Sequence, residues 1–177
     1  MKIVADTSAL LSLAMTTLLE NSLKLLEVCT TKEIEVELKE LGKYADQEGK
    51  AAATLLNTIN SRRIRVINVR RQHKIEELIT ADINHGEASC FIACLEHGIS
   101  TILIDDANAI HSLENIAEAK KIKLKLSVAV LVELLNKGVI TKNKAKLAIR
   151  KMIETRGWEG GALEVLIKKH LKDVFRY

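Results

Sequence analysis

The sequence predicts an α/β protein built on a mainly parallel sheet. Short runs of apolar and β-branched residues alternate with longer helical patterns through most of the 177 residues, which is typical of parallel strands joined by helices. Acidic residues directly follow two of the apolar runs. Proline is absent, which suits a chain made mainly of helices. We expect a single domain with a sizeable core.

Composition and charge indicate a soluble globular protein. Hydrophobic residues make up 47% of the chain and charged residues 28%, both ordinary values for this class. The net charge of +4 allows a polyanionic partner without requiring one. No apolar run approaches the length of a membrane span, and the N-terminus is a poor signal peptide, so we expect a cytoplasmic protein without membrane association. The three cysteines lack the spacing of a zinc site or a disulfide framework.

The first thirteen residues combine a buried strand with a helix start. Residues 3–5 are an apolar run, and Asp6 follows directly. Thr7 or Ser8 can cap the helix predicted over residues 9–15. A carboxylate thus stands at the carboxyl end of a strand and in front of a helix, where open parallel sheets bind ligands.

The later elements are predicted in order from caps, periodicity and β-branched runs. A capping box from Thr30 to Glu33 opens a helix that Gly42 ends. Strands are expected at residues 62–69, 101–104 and 122–126, the last near a sheet edge because lysine alternates with apolar residues. Further helices are expected at residues 17–28, 46–60, 72–80, 84–96 and 107–120.

The C-terminal part of the sequence lacks the strand pattern. From Val128 on, three helical stretches are separated by glycines and Thr141. We therefore expect a domain at residues 1–127 and a helical extension at residues 128–177 that packs on the same domain.

Carboxylates gather at the ends of the predicted strands. Three of the six aspartates, Asp6, Asp105 and Asp106, directly follow two apolar strands. Because parallel strands end at the same edge of a sheet, these side chains should cluster. Clustered carboxylates repel one another unless a cation lies among them, and oxygen ligands suit Mg²⁺ or Mn²⁺.

Each of these acidic residues also has a purely structural interpretation. Aspartate is a favoured N-cap, and both strand ends precede helices. Asn84 and Glu87 have the spacing of a capping box. Glu33, Glu37 and Glu40 share one face of a predicted helix, which by default is solvated.

Four motifs resemble the PIN-domain ribonucleases, the family that includes VapC-type toxins. They lie in order at residues 3–10 (IVADTSAL), 36–38 (VEL), 85–88 (HGEA) and 102–106 (ILIDD). The likeness covers residues 1–127. Residues 128–133 and 137–140 are more loosely similar to the C-terminal region of certain prokaryotic PIN proteins.

The resemblance implies a three-layer α/β/α sandwich with an acidic pocket at the carboxyl ends of its strands. It implies catalytic carboxylates at Asp6, Glu37 and Glu87, with the fourth at Asp106 or Asp105. Glu33 or Glu40 could replace Glu37. The implied metal ligands are Asp6, Glu87, and Asp106 or Asp105. The implied supporting hydroxyl belongs to Thr7 or Ser8. Asn84 or His85 could touch the edge of the site.

The resemblance also implies an activity and partners. The expected activity is Mg²⁺- or Mn²⁺-dependent hydrolysis of RNA by an endoribonuclease, which would be either the toxin of a toxin–antitoxin pair or an RNA-processing enzyme. An antitoxin protein and a homodimer are implied partners. Arg70 and Arg71 follow the strand predicted at 62–69 and are the expected phosphate contacts. The alternative is a PIN-like module that binds RNA or protein without cutting.

Overall fold

The computed structural model describes residues 1–170 of the chain. The described residues form five strands and ten helices. The strands are β1 (Lys2–Ala5), β2 (Glu27–Thr31), β3 (Ile64–Ile67), β4 (Thr101–Leu103) and β5 (Lys123–Lys125). The helices are α1 (Thr7–Ala14), α2 (Leu19–Leu25), α3 (Lys32–Leu41), α4 (Gln47–Asn60), α5 (Gln72–Leu78), α6 (His85–His97), α7 (Ala107–Ala119), α8 (Ser127–Asn136), α9 (Lys142–Thr155) and α10 (Ala162–His170).

The strands form one parallel sheet in the order β3-β2-β1-β4-β5. From β1 the chain first builds outward through β2 and β3, then crosses back to add β4 and β5 on the other side. The junction of β1 and β4 is therefore a topological switch point, where a crevice opens beyond the carboxyl ends of the strands. Asp6 directly follows β1 here, and one residue, Ile104, separates Asp105 from the end of β4.

Helices cover both faces of the sheet. Right-handed connections between parallel strands place α1 to α4 on one face and α5 to α7 on the other. Consistent with this, α6 contacts β1, β2 and β4, while α1 packs against α4 and α8. The structure confirms the predicted α/β fold as a three-layer α/β/α sandwich.

The C-terminal helices share the core of the sheet domain. Val130 and Leu134 of α8 and Ile149 and Met152 of α9 are buried in the same apolar cluster as β1. The last seven residues of the predicted extension, 171–177, lie outside the described residues. Within residues 1–170, no helix has the length and apolar character needed to cross a membrane.

The prediction of one long helix at residues 17–28 was wrong. The helix α2 ends at Leu25, and Glu27 begins β2, an interior strand that pairs with both β1 and β3. Thr30 belongs to this strand, and its hydroxyl donates a hydrogen bond to the Ala5 carbonyl. The cap of α3 is therefore Thr31, one residue later than predicted.

Candidate active site: an acidic pocket at the switch point

A cavity of about 210 Å³ opens where β1 and β4 end. Five carboxylates from separate segments of the chain line it: Asp6, Glu37, Glu48, Glu87 and Asp106. Thr7, Ser8 and Asn84 also line the cavity. The fold thus brings together acidic residues that lie up to 100 positions apart in the sequence.

Asp6 is a buried carboxylate held by its own helix. It caps α1, with Oδ1 accepting a hydrogen bond from the Ala9 N–H at 2.8 Å and Oδ2 accepting one from the Ser8 hydroxyl at 2.7 Å. Burial, with only 3% of the residue exposed, raises the pKa of Asp6 to about 8 against these hydrogen bonds. The nearby charges of Asp105 and Glu87 raise this pKa further.

Glu37 reaches the pocket from the middle of α3. Its Oε2 accepts a hydrogen bond of 2.6 Å from the Thr7 hydroxyl, so the residue after Asp6 orients a second carboxylate. Of the three glutamates on this helix that the sequence offered, Glu37 is the one that lines the pocket. Glu33 lies near Gln72, and Glu40 pairs with Lys43.

Glu87 is held by a capping box at the start of α6. Its Oε2 accepts a hydrogen bond from the Asn84 N–H, while Asn84 Oδ1 accepts one from the Glu87 N–H. Burial raises the pKa of Glu87 to about 7, and the charges of Asp106 and Glu37 act in the same direction. Glu87 therefore forms the capping box predicted from the sequence and also lines the pocket.

The two acids after β4 have different environments. Asp106 caps α7, with Oδ1 accepting hydrogen bonds from the N–H groups of Asn108 and Ala109, and it lines the pocket. Asp105 is buried outside the pocket lining and accepts hydrogen bonds from the Ser127 N–H and hydroxyl at 2.8 and 2.6 Å. Burial raises the pKa of Asp105.

Ser8 connects the two strand ends through one hydroxyl. Its Oγ donates to Asp6 and accepts a hydrogen bond of 2.9 Å from the Asp105 N–H. The Asp6 N–H in turn donates to the Leu103 carbonyl at 3.1 Å. These contacts fix Asp6 against the end of β4.

The donors of the pocket fit a hard divalent cation. Among residues 1–170, no three carboxylate, imidazole or thiolate groups already stand in the arrangement of a metal site. The acidic side chains lining the pocket nevertheless offer oxygen ligands alone, which suit Mg²⁺ or Mn²⁺. Burial is the main cause of the raised pKa values of Asp6 and Glu87, and the neighbouring acids add to it, so a bound cation would favour the ionised forms of both.

The other predicted contact residues lie in different places. Asn84 lines the pocket, whereas His85 lies 3.5 Å from Glu76. Arg70 and Arg71 follow β3 and do not line this pocket. Their backbone N–H groups donate hydrogen bonds to the two carboxylate oxygens of Glu96, at 2.9 and 2.8 Å.

Two charged residues of the pocket were missed by the sequence analysis. Glu48, in the first turn of α4, and Arg156, directly after α9, both line the cavity and form an ion pair with each other. They are 108 positions apart. No local motif marks either residue, because their meeting depends on how α9 packs against the sheet domain.

Comparison with known proteins identifies the family. A family model described as a PIN domain matches residues 2–171. Comparisons with curated proteins and with solved structures gave no match. The family match covers almost the whole chain, including the four acidic motifs and the helices α8 to α10. The chain therefore belongs to the PIN-domain family, whose members are generally nucleases.

Proposed function

We propose that this protein is a Mg²⁺- or Mn²⁺-dependent endoribonuclease that hydrolyses RNA phosphodiester bonds in the acidic pocket. The observation that carries the proposal is the convergence of Asp6, Glu37, Glu87 and Asp106 on one cavity at the switch point. Membership of a family of nucleases supports it. The oxygen-only donor set supports the choice of cation.

These four carboxylates would have different roles around the cation. We assign Asp6, Glu87 and Asp106 as its ligands and Glu37 as a fourth catalytic carboxylate. Asp106 is preferred to Asp105 because Asp105 is turned to Ser127 and does not line the pocket. When bound, the cation would activate a water molecule and neutralise phosphate charge.

The hydroxyl groups of the pocket act as positioning groups in this proposal. Thr7 donates to Glu37, and Ser8 both donates to Asp6 and accepts from the Asp105 N–H. Both hydroxyls are thus committed to orienting neighbouring groups. Water is the natural nucleophile in such a site, and the protein supplies orientation and charge.

A basic groove beside the pocket offers a path for the RNA backbone. A second cavity, of about 770 Å³, is lined by residues of α1, α4 and α9, among which the three cations Lys50, Arg150 and Lys151 outnumber the one acid, Glu154. Gln47 and Thr155 line this groove, and their chain neighbours Glu48 and Arg156 line the acidic pocket. Consecutive residues of the chain therefore line the two cavities, and we propose that a strand held in the groove continues into the pocket.

RNA cleavage by purified protein tests the proposal. A mixed RNA pool is incubated with wild type plus Mg²⁺ or Mn²⁺, with wild type plus EDTA, and with Asp6→Asn. Asp82→Asn, an exposed aspartate outside the pocket, is the matched control. We expect cation-dependent cleavage that Asp6→Asn abolishes and Asp82→Asn retains. Cleavage that persists in EDTA or in Asp6→Asn would contradict the assignment of this pocket.

The same experiment separates the nuclease from a module that only binds. If no RNA in the pool is cut, the melting temperature is measured with and without Mn²⁺. An inactive module would give no cleavage and no stabilisation by Mn²⁺ that depends on Asp6. The toxin role, the antitoxin partner and the homodimer implied by the resemblance remain proposals that rest on activity being found first.

A further inference from the structure

Arg156 is a basic side chain inside an otherwise acidic pocket. It follows the last residue of α9 and lines the cavity together with Asp6, Glu37, Glu87 and Asp106. Its side chain is 15% exposed. Among the residues that line this cavity it is the only lysine, arginine or histidine. The C-terminal helices thus place one positive charge among the carboxylates.

Only part of the Arg156 guanidinium is engaged. Nη1 donates to Glu48 Oε1, whereas Nε is buried and has no hydrogen-bond partner in the described part of the chain. A buried N–H without an acceptor is costly and rare in folded proteins, so each one calls for an explanation. Here the uncommitted N–H belongs to a group that lines the pocket.

The geometry of the group suggests its ligand. Arginine binds phosphate through two parallel N–H groups of its planar fork, and such charge-assisted bonds are stronger than neutral ones. The tether to Glu48 holds the fork in place and limits the side-chain entropy lost on binding. A phosphate bound among the carboxylates would therefore meet an oriented guanidinium group.

We propose that Arg156 contacts the phosphate of the substrate in the acidic pocket and stabilises its charge during hydrolysis. This inference rests on the proposed nuclease function and deepens it. It assigns a functional group to the C-terminal helices, which follow all four acidic motifs in the sequence. Glu48 is then a positioning residue, acting through Arg156.

The competing explanation is a purely structural tether between α4 and α9. The two explanations differ in what Glu48→Gln should do. In a tether, loss of either partner has the same consequence. In a phosphate contact, Glu48→Gln loosens the positioning of the guanidinium but keeps the group, so it should slow cleavage less than Arg156→Gln, which removes the contact itself.

Single-turnover cleavage and melting are measured together on Arg156→Gln, Arg156→Lys and Glu48→Gln. The matched control is Arg63→Gln, which breaks an arginine–glutamate pair with Glu20 outside the pocket. We expect Arg156→Gln to slow cleavage by roughly 10²-fold, the usual loss for one donor to developing charge. Arg156→Lys should fall between Arg156→Gln and wild type, because lysine keeps the charge without the fork. Arg63→Gln should cleave like wild type.

Equal losses of rate and of melting temperature in Arg156→Gln and Glu48→Gln would overturn the proposal in favour of the tether. Rescue provides a second test, because free guanidinium ion added to Arg156→Ala should restore part of the rate. A variant that is folded but not rescued at any guanidinium concentration below denaturation would also count against the contact.

A binding measurement separates this inference from the nuclease proposal. The ¹⁵N–¹H signal of Arg156 Nε, identified by its loss in Arg156→Lys, is followed while inorganic phosphate is added with Mg²⁺. We expect a shift that is absent in Asp6→Asn. If wild type cuts no RNA and gains no Asp6-dependent stability from Mn²⁺, but the shift occurs, the nuclease proposal fails and the phosphate contact stands. If cleavage occurs without a shift at saturating phosphate, the phosphate contact fails alone.

Discussion

Three carboxylates of the pocket are also helix caps. Asp6 caps α1, Glu87 closes the capping box of α6, and Asp106 caps α7. Each carboxylate accepts hydrogen bonds from backbone N–H groups, and these bonds fix its orientation. The positive ends of three helix dipoles also point towards the pocket and offset part of the repulsion among the acids. The structural and functional interpretations of these residues are therefore compatible.

The raised pKa of Asp6 makes the stability of the metal-free protein depend on pH. The pKa of Asp6 is about 8 in the folded state against an ordinary value of 3.8. Between these values the folded state binds more protons than the unfolded state. The free energy of unfolding therefore falls as the pH rises from about 4 to about 8. Glu87, with a pKa raised to about 7, acts in the same direction.

Asp6→Asn tests this dependence, because asparagine keeps the cap acceptor without the buried charge. In EDTA we expect the variant to be more stable than wild type at pH 8, by about 1 kcal/mol or more, with the advantage disappearing by pH 4. Urea unfolding at several pH values measures it. An advantage that does not change with pH would show that Asp6 is not a protonated acid near neutrality.

The starts of α4 and α6 shape the pocket through glycines. A Cβ built on Gly86 would lie 2.8 Å from Ile34 Cδ1 and 3.4 Å from Glu37 Oε2, so the glycine lets α6 approach α3. A Cβ on Gly49 would lie 2.0 Å from the Tyr44 carbonyl oxygen, a backbone atom that cannot move alone. Gly49 therefore fixes the turn that carries Glu48 into the pocket.

Gly49→Ala should be markedly destabilising. We expect a loss of about 3 kcal/mol in the free energy of unfolding, the upper part of the range for overpacking. Gly138→Ala is the control, since its φ of 68° disfavours alanine but nothing lies within 4 Å of a Cβ there. That change should cost about 1–2 kcal/mol. Urea unfolding of both variants checks the order, and equal losses would mean that the turn before α4 relaxes freely.

The sequence predicted the elements that carry strong local signals. The strand before Asp6 and the helix begun by Asn84 both lie where caps and apolar runs placed them. Strand β2 was missed because Thr30 to Glu33 imitates a capping box and the preceding leucines suit a helix. These residues form a strand because they pair with β1 on one side and β3 on the other, and the local sequence does not show this pairing.

The candidate site was predictable to a similar degree. Asp6 and Glu87 follow recognisable local patterns, and the structure places both in one pocket with Glu37 and Asp106. The choice between Asp105 and Asp106 required the fold, because only the position of Ser127 shows which acid is turned away. The pairing of Glu48 with Arg156 is tertiary and left no trace in the local sequence.

At the scale of the molecule, basic residues lie beside the acidic pocket rather than around it. In the part of the chain that the structure describes, Lys50, Arg150 and Lys151 line the adjoining groove and form no ion pair. Changing all three to glutamine should weaken single-stranded RNA binding. The slope of log K against log salt should fall in magnitude by about 2, at roughly 0.7 per phosphate contact.

The paired change Arg70→Gln and Arg71→Gln serves as the comparison, because these residues were the phosphate contacts expected from sequence. Binding is measured on the Asp6→Asn background by fluorescence anisotropy over a range of salt. An unchanged slope in the groove variant would exclude the groove as the path. A larger loss of RNA affinity in the variant with both Arg70→Gln and Arg71→Gln would indicate that the RNA runs past β3 instead.

In the function proposed here, the acidic pocket holds a divalent cation for hydrolysis. The most direct test is the anomalous scattering of Mn²⁺ in crystals soaked at pH 8, where the carboxylates give up their protons most readily. We predict a peak in the pocket within bonding distance of Asp6, Glu87 and Asp106 in wild type, and its loss in Asp6→Asn. A pocket open to solvent but without a peak, or a peak held by Asp105 alone, would contradict the account.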